Sequence, residues 1–226
     1  INFLGRLLAS PERPFVAIIG GAKISGKIEI LKNLASRVEA MLIGGGIANT
    51  LLKAEGYDVG GSLVEDEALD IAHEIDDVAR EHDVELVIPD DFIVADRVES
   101  GAAKHTISRP EPVSEGESIV DIGPKSIERF RDVLSKAKTI FWNGPVGVFE
   151  IEDFAEGTIR VAEAVAEATR GGAVSVIGGG DTASAVAKAG IKDAFTHVST
   201  GGGASLEFVG GKELPGIAIL TKRETS

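Results

Sequence analysis

The sequence predicts an α/β fold: a Rossmann-like, three-layer αβα arrangement with a mostly parallel sheet of about six strands. Three observations carry that expectation. Short apolar runs alternate with stretches of helical periodicity at least five times along the chain. Most of those runs are apolar throughout rather than alternating, as strands buried on both faces of a parallel sheet must be. Glycines collect where the runs end.

The elements follow in order. Residues 14–19 (PFVAII) read as a strand, and residues 25–38 as a helix with Ile28, Leu31, Leu34 and Val38 near 3.6 spacing. A strand is expected at residues 40–43 (AMLI). A helix follows over residues 65–82, with Ala68, Leu69, Ala72, Ile75, Val78 and Ala79 on one face, and then a strand at residues 85–88 (ELVI). Residues 90–117 break the rhythm with Pro110, Pro112 and many polar residues, and read as a surface excursion with room for a small hairpin. After a short strand at residues 118–120 comes a helix over residues 125–137, opened by Pro124, with Ile127, Phe130, Val133 and Leu134 inward. Residues 139–142 (TIFW), 173–177 (AVSVI) and 195–198 (FTHV) complete the strands, with a possible late strand at residues 217–220. Helices over residues 154–169 and 181–189 lie between them, each ending at glycine.

With 226 residues the chain can bury a substantial core, and the reading of residues 90–117 as an excursion rather than a linker, with no internal repeat, favours one domain. Apolar residues make up 43% and charged residues 26%, a globular balance rather than a disordered one. The formal net charge of −13 argues against nucleic-acid and anionic-lipid partners, both of which need a surplus of lysine and arginine. The absence of cysteine excludes disulfides and thiolate chemistry and fits a cytoplasmic protein. No uncharged apolar run approaches the ~18 residues of a membrane span, and no signal peptide is expected. The chain begins Ile1-Asn2-Phe3 and reads as a fragment or a processed product.

Glycine is the outlier: 28 residues, about 12% against an average near 7%. Eleven of them fall in four clusters, at positions 20–21, 44–46, 178–180 and 201–203, and three clusters directly follow apolar runs. In an open α/β sheet, ligands bind at the carboxyl ends of the strands. Clustered glycines there let backbone N–H groups close on an anion, and a following helix adds its dipole. The site should therefore take a phosphorylated ligand.

Individual motifs are weaker. Residues 21–27 (GAKISGK) approach a phosphate loop, but Ile28 stands where its hydroxyl residue belongs. Residues 178–183 (GGGDTA) satisfy a dinucleotide fingerprint without the acidic residue about 20 positions on. Asp181 reads either as a plain helix N-cap or as a carboxylate on Mg²⁺ beside phosphates. Lys23 and Lys27, four apart at a helix start, are either solvated or aimed at phosphate oxygens. Asn143 and Glu150 flank a rigid Gly-Pro turn that suits ribose hydroxyls, and Trp142 and Phe149 read as core. The histidines, His73, His82, His105 and His197, have no metal-ligand spacing.

Taken together, six segments resemble the phosphoglycerate kinase family, specifically its carboxyl-terminal, nucleotide-binding domain. They are residues 13–27 (RPFVAIIGGAKISGK), 44–48 (GGGIA), 121–126 (DIGPKS), 141–150 (FWNGPVGVFE), 178–183 (GGGDTA) and 197–207 (HVSTGGGASLE), in the family's order over nearly the whole chain. Gly26 departs from the family's usual larger residue, and Ile119-Val120 from its common Gly-Leu at the adenine wall. The resemblance implies reversible phosphoryl transfer between 1,3-bisphosphoglycerate and ADP in glycolysis and gluconeogenesis, with Mg²⁺, giving ATP and 3-phosphoglycerate. It implies one nucleotide-binding domain over residues 1–226, a monomer, with residues 1–12 left from an interdomain helix. The domain that binds 3-phosphoglycerate would be absent, so the chain alone would bind Mg-ADP or Mg-ATP with little or no turnover. A non-catalytic adenine-nucleotide-binding module is the alternative.

By the same resemblance, Lys27 contacts the phosphoryl group in flight, and the backbone N–H groups of Gly201, Gly202 and Gly203 cradle it. Lys23 contacts nucleotide phosphates, as does Thr182, with Asn143 close by, and Gly179 and Gly180 also belong to the nucleotide site. Asp181 holds the metal. Gly21, Ala22, Gly45, Gly46 and Leu63 border the adenine, with Ile119, Pro145, Gly147 and Val148 nearby, and Glu150 takes the ribose hydroxyls.

Overall fold

The computed structural model describes residues 10–199. The possible strand at residues 217–220, the glycines 201–203 and nearly all of residues 1–12 lie outside the described residues.

Six parallel strands form the main sheet: β1 (Phe15–Ile19), β2 (Ala40–Ile43), β3 (Glu85–Val87), β7 (Thr139–Asn143), β8 (Val174–Gly178) and β9 (His197–Ser199). Their order is β3-β2-β1-β7-β8-β9. The chain thus builds outward from β1 to one edge and then restarts on β1's other side. Right-handed crossovers put the helices of the two halves on opposite faces of such a sheet. That is the arrangement found. Helices α1 (Ile28–Ala35), α2 (Gly45–Ala54) and α3 (Leu69–Glu81) cover one face, and α4 (Pro124–Lys136), α5 (Glu156–Arg170) and α6 (Gly180–Lys188) the other.

The strands are apolar throughout because each feeds two cores. Phe15, Ala17 and Ile19 of β1 pack with Leu31, Leu34, Leu51 and Ile75, whereas Val16 and Ile18 pack with Phe130, Leu134, Val161 and Val165. Trp142 is fully buried and Phe149 nearly so, both in packing roles. Register levels the strand ends, since Ile19 pairs with both Ile43 and Asn143, and Asn143 with Gly178. The glycines after β1, β2, β7 and β8 therefore start at one height.

The structure corrects the sequence reading in four places. Residues 90–117 are more than a surface excursion. They hold β4 (Asp91–Ala95) and β5 (Lys104–Ser108), the expected hairpin, and β4 is the buried centre of a second, antiparallel sheet. The strand at 118–120 extends as β6 (Ser118–Ile122) and joins that second sheet rather than the main one. That sheet packs Phe92 and Val94 of β4, Ile107 of β5 and, partly buried, Ile119 of β6 against the same core as α1–α3. The helix α2 was not expected, because Gly45 and Gly46 open it and only its later residues are good helix formers. The helix expected from residue 25 starts with a 3-10 turn at Ser25–Lys27 and becomes α-helical at Ile28.

Candidate functional site

A cavity of about 630 Å³ opens at the carboxyl ends of the main sheet. That is the size of a small-molecule site. It lies against β1 and β7, where the strand order reverses, which is the crevice that ligands occupy in open α/β sheets.

Backbone contacts build its floor. Gly20 N–H donates to the Asn143 carbonyl at 2.9 Å, Gly21 N–H to Pro145 at 2.9 Å and Gly45 N–H to Val146 at 2.9 Å. These bonds lock the turn after β7 onto the turns after β1 and β2. The approach is too close for side chains: a Cβ on Gly20 would lie 2.0 Å from the Pro145 oxygen. The turn is held from behind by Thr182, whose hydroxyl accepts from Gly144 N–H at 2.7 Å, and by Thr158, which accepts from Val146 N–H at 3.2 Å.

The second sheet supplies the far wall. Val148 N–H donates to the Val120 carbonyl at 2.8 Å, and Ile119 N–H to the Ser62 hydroxyl at 2.8 Å. Asn49 on α2 donates to the Leu63 carbonyl at 3.2 Å. Leu63 and Val98 are 60% and 52% exposed, the two exposed large hydrophobic side chains among the described residues, and both line this cavity. An apolar slot open to water at the end of a glycine-lined floor suits a planar ring attached to a polar, charged tail.

Of the expected site residues, Gly21, Ala22, Gly45, Gly46, Leu63, Ile119, Pro145, Gly147, Val148, Glu150 and Asp181 line the cavity. Lys23, Lys27, Asn143, Gly179, Gly180 and Thr182 do not. Lys23 is exposed. Asn143 is 2% exposed, and its amide donates to the Gly178 carbonyl at 2.7 Å. Thr182 is fully buried on Gly144. Gly179 is the N-cap of α6 and Gly180 its first residue. Asp181 is therefore in the helix's first turn and makes no capping bond, which corrects its reading as an N-cap. Whereas Lys23 is exposed, Lys27 ends the 3-10 turn and folds inward. Its Nζ donates to the Gly20 carbonyl and, at 3.2 Å, to that of Asn143. Burial lowers its pKa from 10.5 to about 8, against the opposing pull of nearby Asp181.

Sequence reasoning singled out neither Asn49, Gly61 and Val98 nor Asp121 as lining residues. Val98 sits on a polar turn between β4 and β5 that has no periodicity to read. Asp121 lay in plain view in the DIGPKS segment, a carboxylate inside an apolar run.

Asp181 offers the one hard oxygen ligand expected for a cation here, and no group of three or more His, Cys, Asp or Glu is placed to hold a metal among the described residues. A cation that keeps water and takes its other ligands from phosphate oxygens, as Mg²⁺ does, fits such a donor set. No helix among the described residues is long and apolar enough to cross a membrane.

The family model for "Phosphoglycerate kinase" matches residues 1–212. The chain is 53% identical over 220 residues to a phosphoglycerate kinase of Chlorobium phaeobacteroides, covering 97% of this chain and 55% of that protein. It is 52% identical over 224 residues to one from Thermosipho africanus, covering 99% of this chain and 56% of that protein. The solved phosphoglycerate kinase of Coxiella burnetii superposes with a TM-score of 0.93 at 47% identity, covering 97% of this chain and 56% of that one. That of Pyrococcus horikoshii superposes with a TM-score of 0.82 at 33% identity, covering 97% and 55%. The chain spans about half the length of the relatives it matches.

Proposed function

Because this chain belongs to the phosphoglycerate kinase family, we propose that it is the nucleotide-binding half of such an enzyme. It would hold Mg-ADP or Mg-ATP for reversible phosphoryl transfer between 1,3-bisphosphoglycerate and ADP, in glycolysis and gluconeogenesis. The observation that carries this reading is the cavity at the strand-order reversal, with a glycine floor at one side and an apolar slot at the other.

In the proposed pose the adenine enters between Leu63, Ile119 and Val148, over the backbone of Gly21, Ala22, Gly45, Gly46, Pro145 and Gly147. Glu150 takes the ribose hydroxyls. The phosphates run past Asp181 toward the N-terminus of α6, where Gly179, Gly180 and Thr182 sit, with Asn143 behind them and Lys23 exposed. The macrodipole of α6 favours negative charge at that end. Bound through Asp181, Mg²⁺ would neutralise phosphate charge.

The transfer moves a phosphoryl group from a carboxyl oxygen of 1,3-bisphosphoglycerate to a β-phosphate oxygen of ADP. The carboxylate of 3-phosphoglycerate leaves and ATP forms. Such a reaction asks little covalent work of the protein, so positioning and charge dominate. Lys27 is pinned by two carbonyls at the strand ends, beside Asp181, and would turn its ammonium onto the group in flight. Gly201, Gly202 and Gly203 would cradle that group with backbone N–H donors.

A dinucleotide reading of residues 178–183 is less well supported. The segment follows β8, one strand away from the reversal point where a dinucleotide fingerprint belongs. The proposed setting is a cytoplasmic monomer, in keeping with the cysteine-free sequence.

Calorimetry with Mg-ADP tests the binding half: heat of one-site binding is expected, and none at millimolar protein refutes it. Since relatives are about twice as long, turnover should need residues outside this chain. A coupled assay with 1,3-bisphosphoglycerate should give little or no ATP, and native-like turnover would overturn that part.

A further inference from the structure

We propose that Asp121 is a positioning residue of this cavity: its buried carboxylate sets the spacing between the β6 wall and the turn at residues 144–148 by holding the first turn of α5. It thereby governs how closely the cavity fits the nucleoside end of its ligand. The proposal rests on the nucleotide reading given above.

Asp121 lies on β6, is 2% exposed and lines the cavity. Oδ1 accepts from Ile122 N–H at 2.9 Å and Oδ2 from Gly157 N–H at 2.6 Å. Gly157 is the second residue of α5, so this N–H has no partner within the helix. The carboxylate is wedged in place. A Cβ on Gly147 would stand 2.2 Å from Oδ1, and one on Gly157 2.3 Å. Wall, turn and helix therefore meet on a single side chain. Directly behind it, Val120, Val148 and Ile151 pack with Phe154, and those first three also face the cavity. Any shift of α5 relative to β6 moves the surface against which a ring would lie.

Both carboxylate oxygens act as acceptors, and only the ionised form can serve both N–H groups fully. Burial is the main force on this group and raises its carboxyl from 3.8 to about 7; the two backbone bonds oppose it. The charged groups facing it are Glu156 at the start of α5, which raises the value further, and Lys104 on β5, which lowers it. Protonation in the neutral range would thus release one of the two N–H groups.

The test measures binding of adenosine, which has no phosphate to titrate near neutrality, to the 226-residue chain from pH 5.5 to 8.5. Mg-ADP at pH 8.5 serves as the reference ligand, and thermal melts run alongside. Wild-type affinity for adenosine should fall about tenfold between the alkaline and acid ends, the effect of losing one charge-assisted hydrogen bond. D121N should bind about tenfold more weakly than wild type at pH 8.5, with a flat profile. E156Q leaves Asp121 in place and removes a neighbouring negative charge, so the midpoint of its profile should move to lower pH. Should D121N fail to fold, the wild-type and E156Q profiles decide. A flat wild-type profile, wild-type affinity in D121N, or a midpoint unmoved in E156Q overturns the positioning role. If the wild type binds neither adenosine nor Mg-ADP, the nucleotide reading falls and this proposal with it. Intact Mg-ADP binding beside an indifferent D121N overturns the positioning role alone.

Discussion

Lys27 and Asp121 are ionisable groups with opposite displacements and one cause. Burial disfavours the charged form, lowering the lysine to about 8 and raising the aspartate to about 7. For Lys27 the consequence under the proposed function concerns turnover. Its ammonium sits outside the cavity lining, on the carbonyls of Gly20 and Asn143. In an enzyme that contains this segment, Lys27→Ala should cut turnover by orders of magnitude while leaving ADP affinity nearly unchanged; parallel kinetics and calorimetry check it. For Asp121 the consequence is also one of stability. Its folded-state value lies above its unfolded one, so the folded state holds the proton more tightly. The stability it contributes is therefore present in acid and lost as pH rises from about 4 to about 7, on the order of 4 kcal/mol over the window. Urea titrations of wild type and D121N across that range should show wild type losing stability relative to the variant as pH rises. A difference that stays constant with pH would contradict it.

At the scale of elements, two carboxylates of the second sheet cap two helices of the main fold. Asp121 holds α5, and Asp91, fully buried on β4, holds α4 by accepting from Lys125 N–H at 2.9 Å, Ser126 N–H at 2.7 Å and the Ser126 hydroxyl at 2.6 Å. Asp91→Ala leaves those donors buried and unpaired, and should cost about 3 kcal/mol in urea unfolding. The exposed Lys53–Asp66 ion pair is the contrast: Lys53→Ala should cost no more than ~1 kcal/mol. Gly20→Ala drives a methyl into the Pro145 carbonyl and should cost about 3 kcal/mol. It should also abolish Mg-ADP heat. Helical periodicity located α1, α3, α4, α5 and α6, and short apolar runs located every strand of the main sheet, because the helices bury one stripe and the strands are covered on both faces. Periodicity missed α2, whose opening glycines mask it. It also left β4 and β5 inside a supposed excursion, because β5 alternates weakly and exposes Lys104, His105 and Thr106. Eleven of the expected cavity residues do line the cavity, being glycines and neighbours at strand ends. Asn143, Thr182 and Lys27 instead bond backbone behind it, an allocation that depends on which carbonyl or N–H lies within reach.

At the scale of the molecule, the strand order puts the cavity where two half-sheets diverge, while the second sheet closes its open side. A ligand that binds only this assembled arrangement stabilises it by mass action. Saturation at about a hundredfold over the dissociation constant is worth ~2.7 kcal/mol, which for a chain of this size raises Tm by about 5–10 °C. A melt with Mg-ADP should show that rise, and the Gly20→Ala variant should lose it. The sequence by itself determined the α/β layers and the gathering of glycines at the strand ends, because apolar runs, helical periodicity and glycine placement are local properties of the chain. The tertiary structure alone decided that β6 leaves the main sheet to wall the cavity, that Lys27 turns inward onto carbonyls, and that Asp121 joins wall, turn and helix. Those outcomes depend on contacts between residues far apart in sequence, and on burial that no single segment carries.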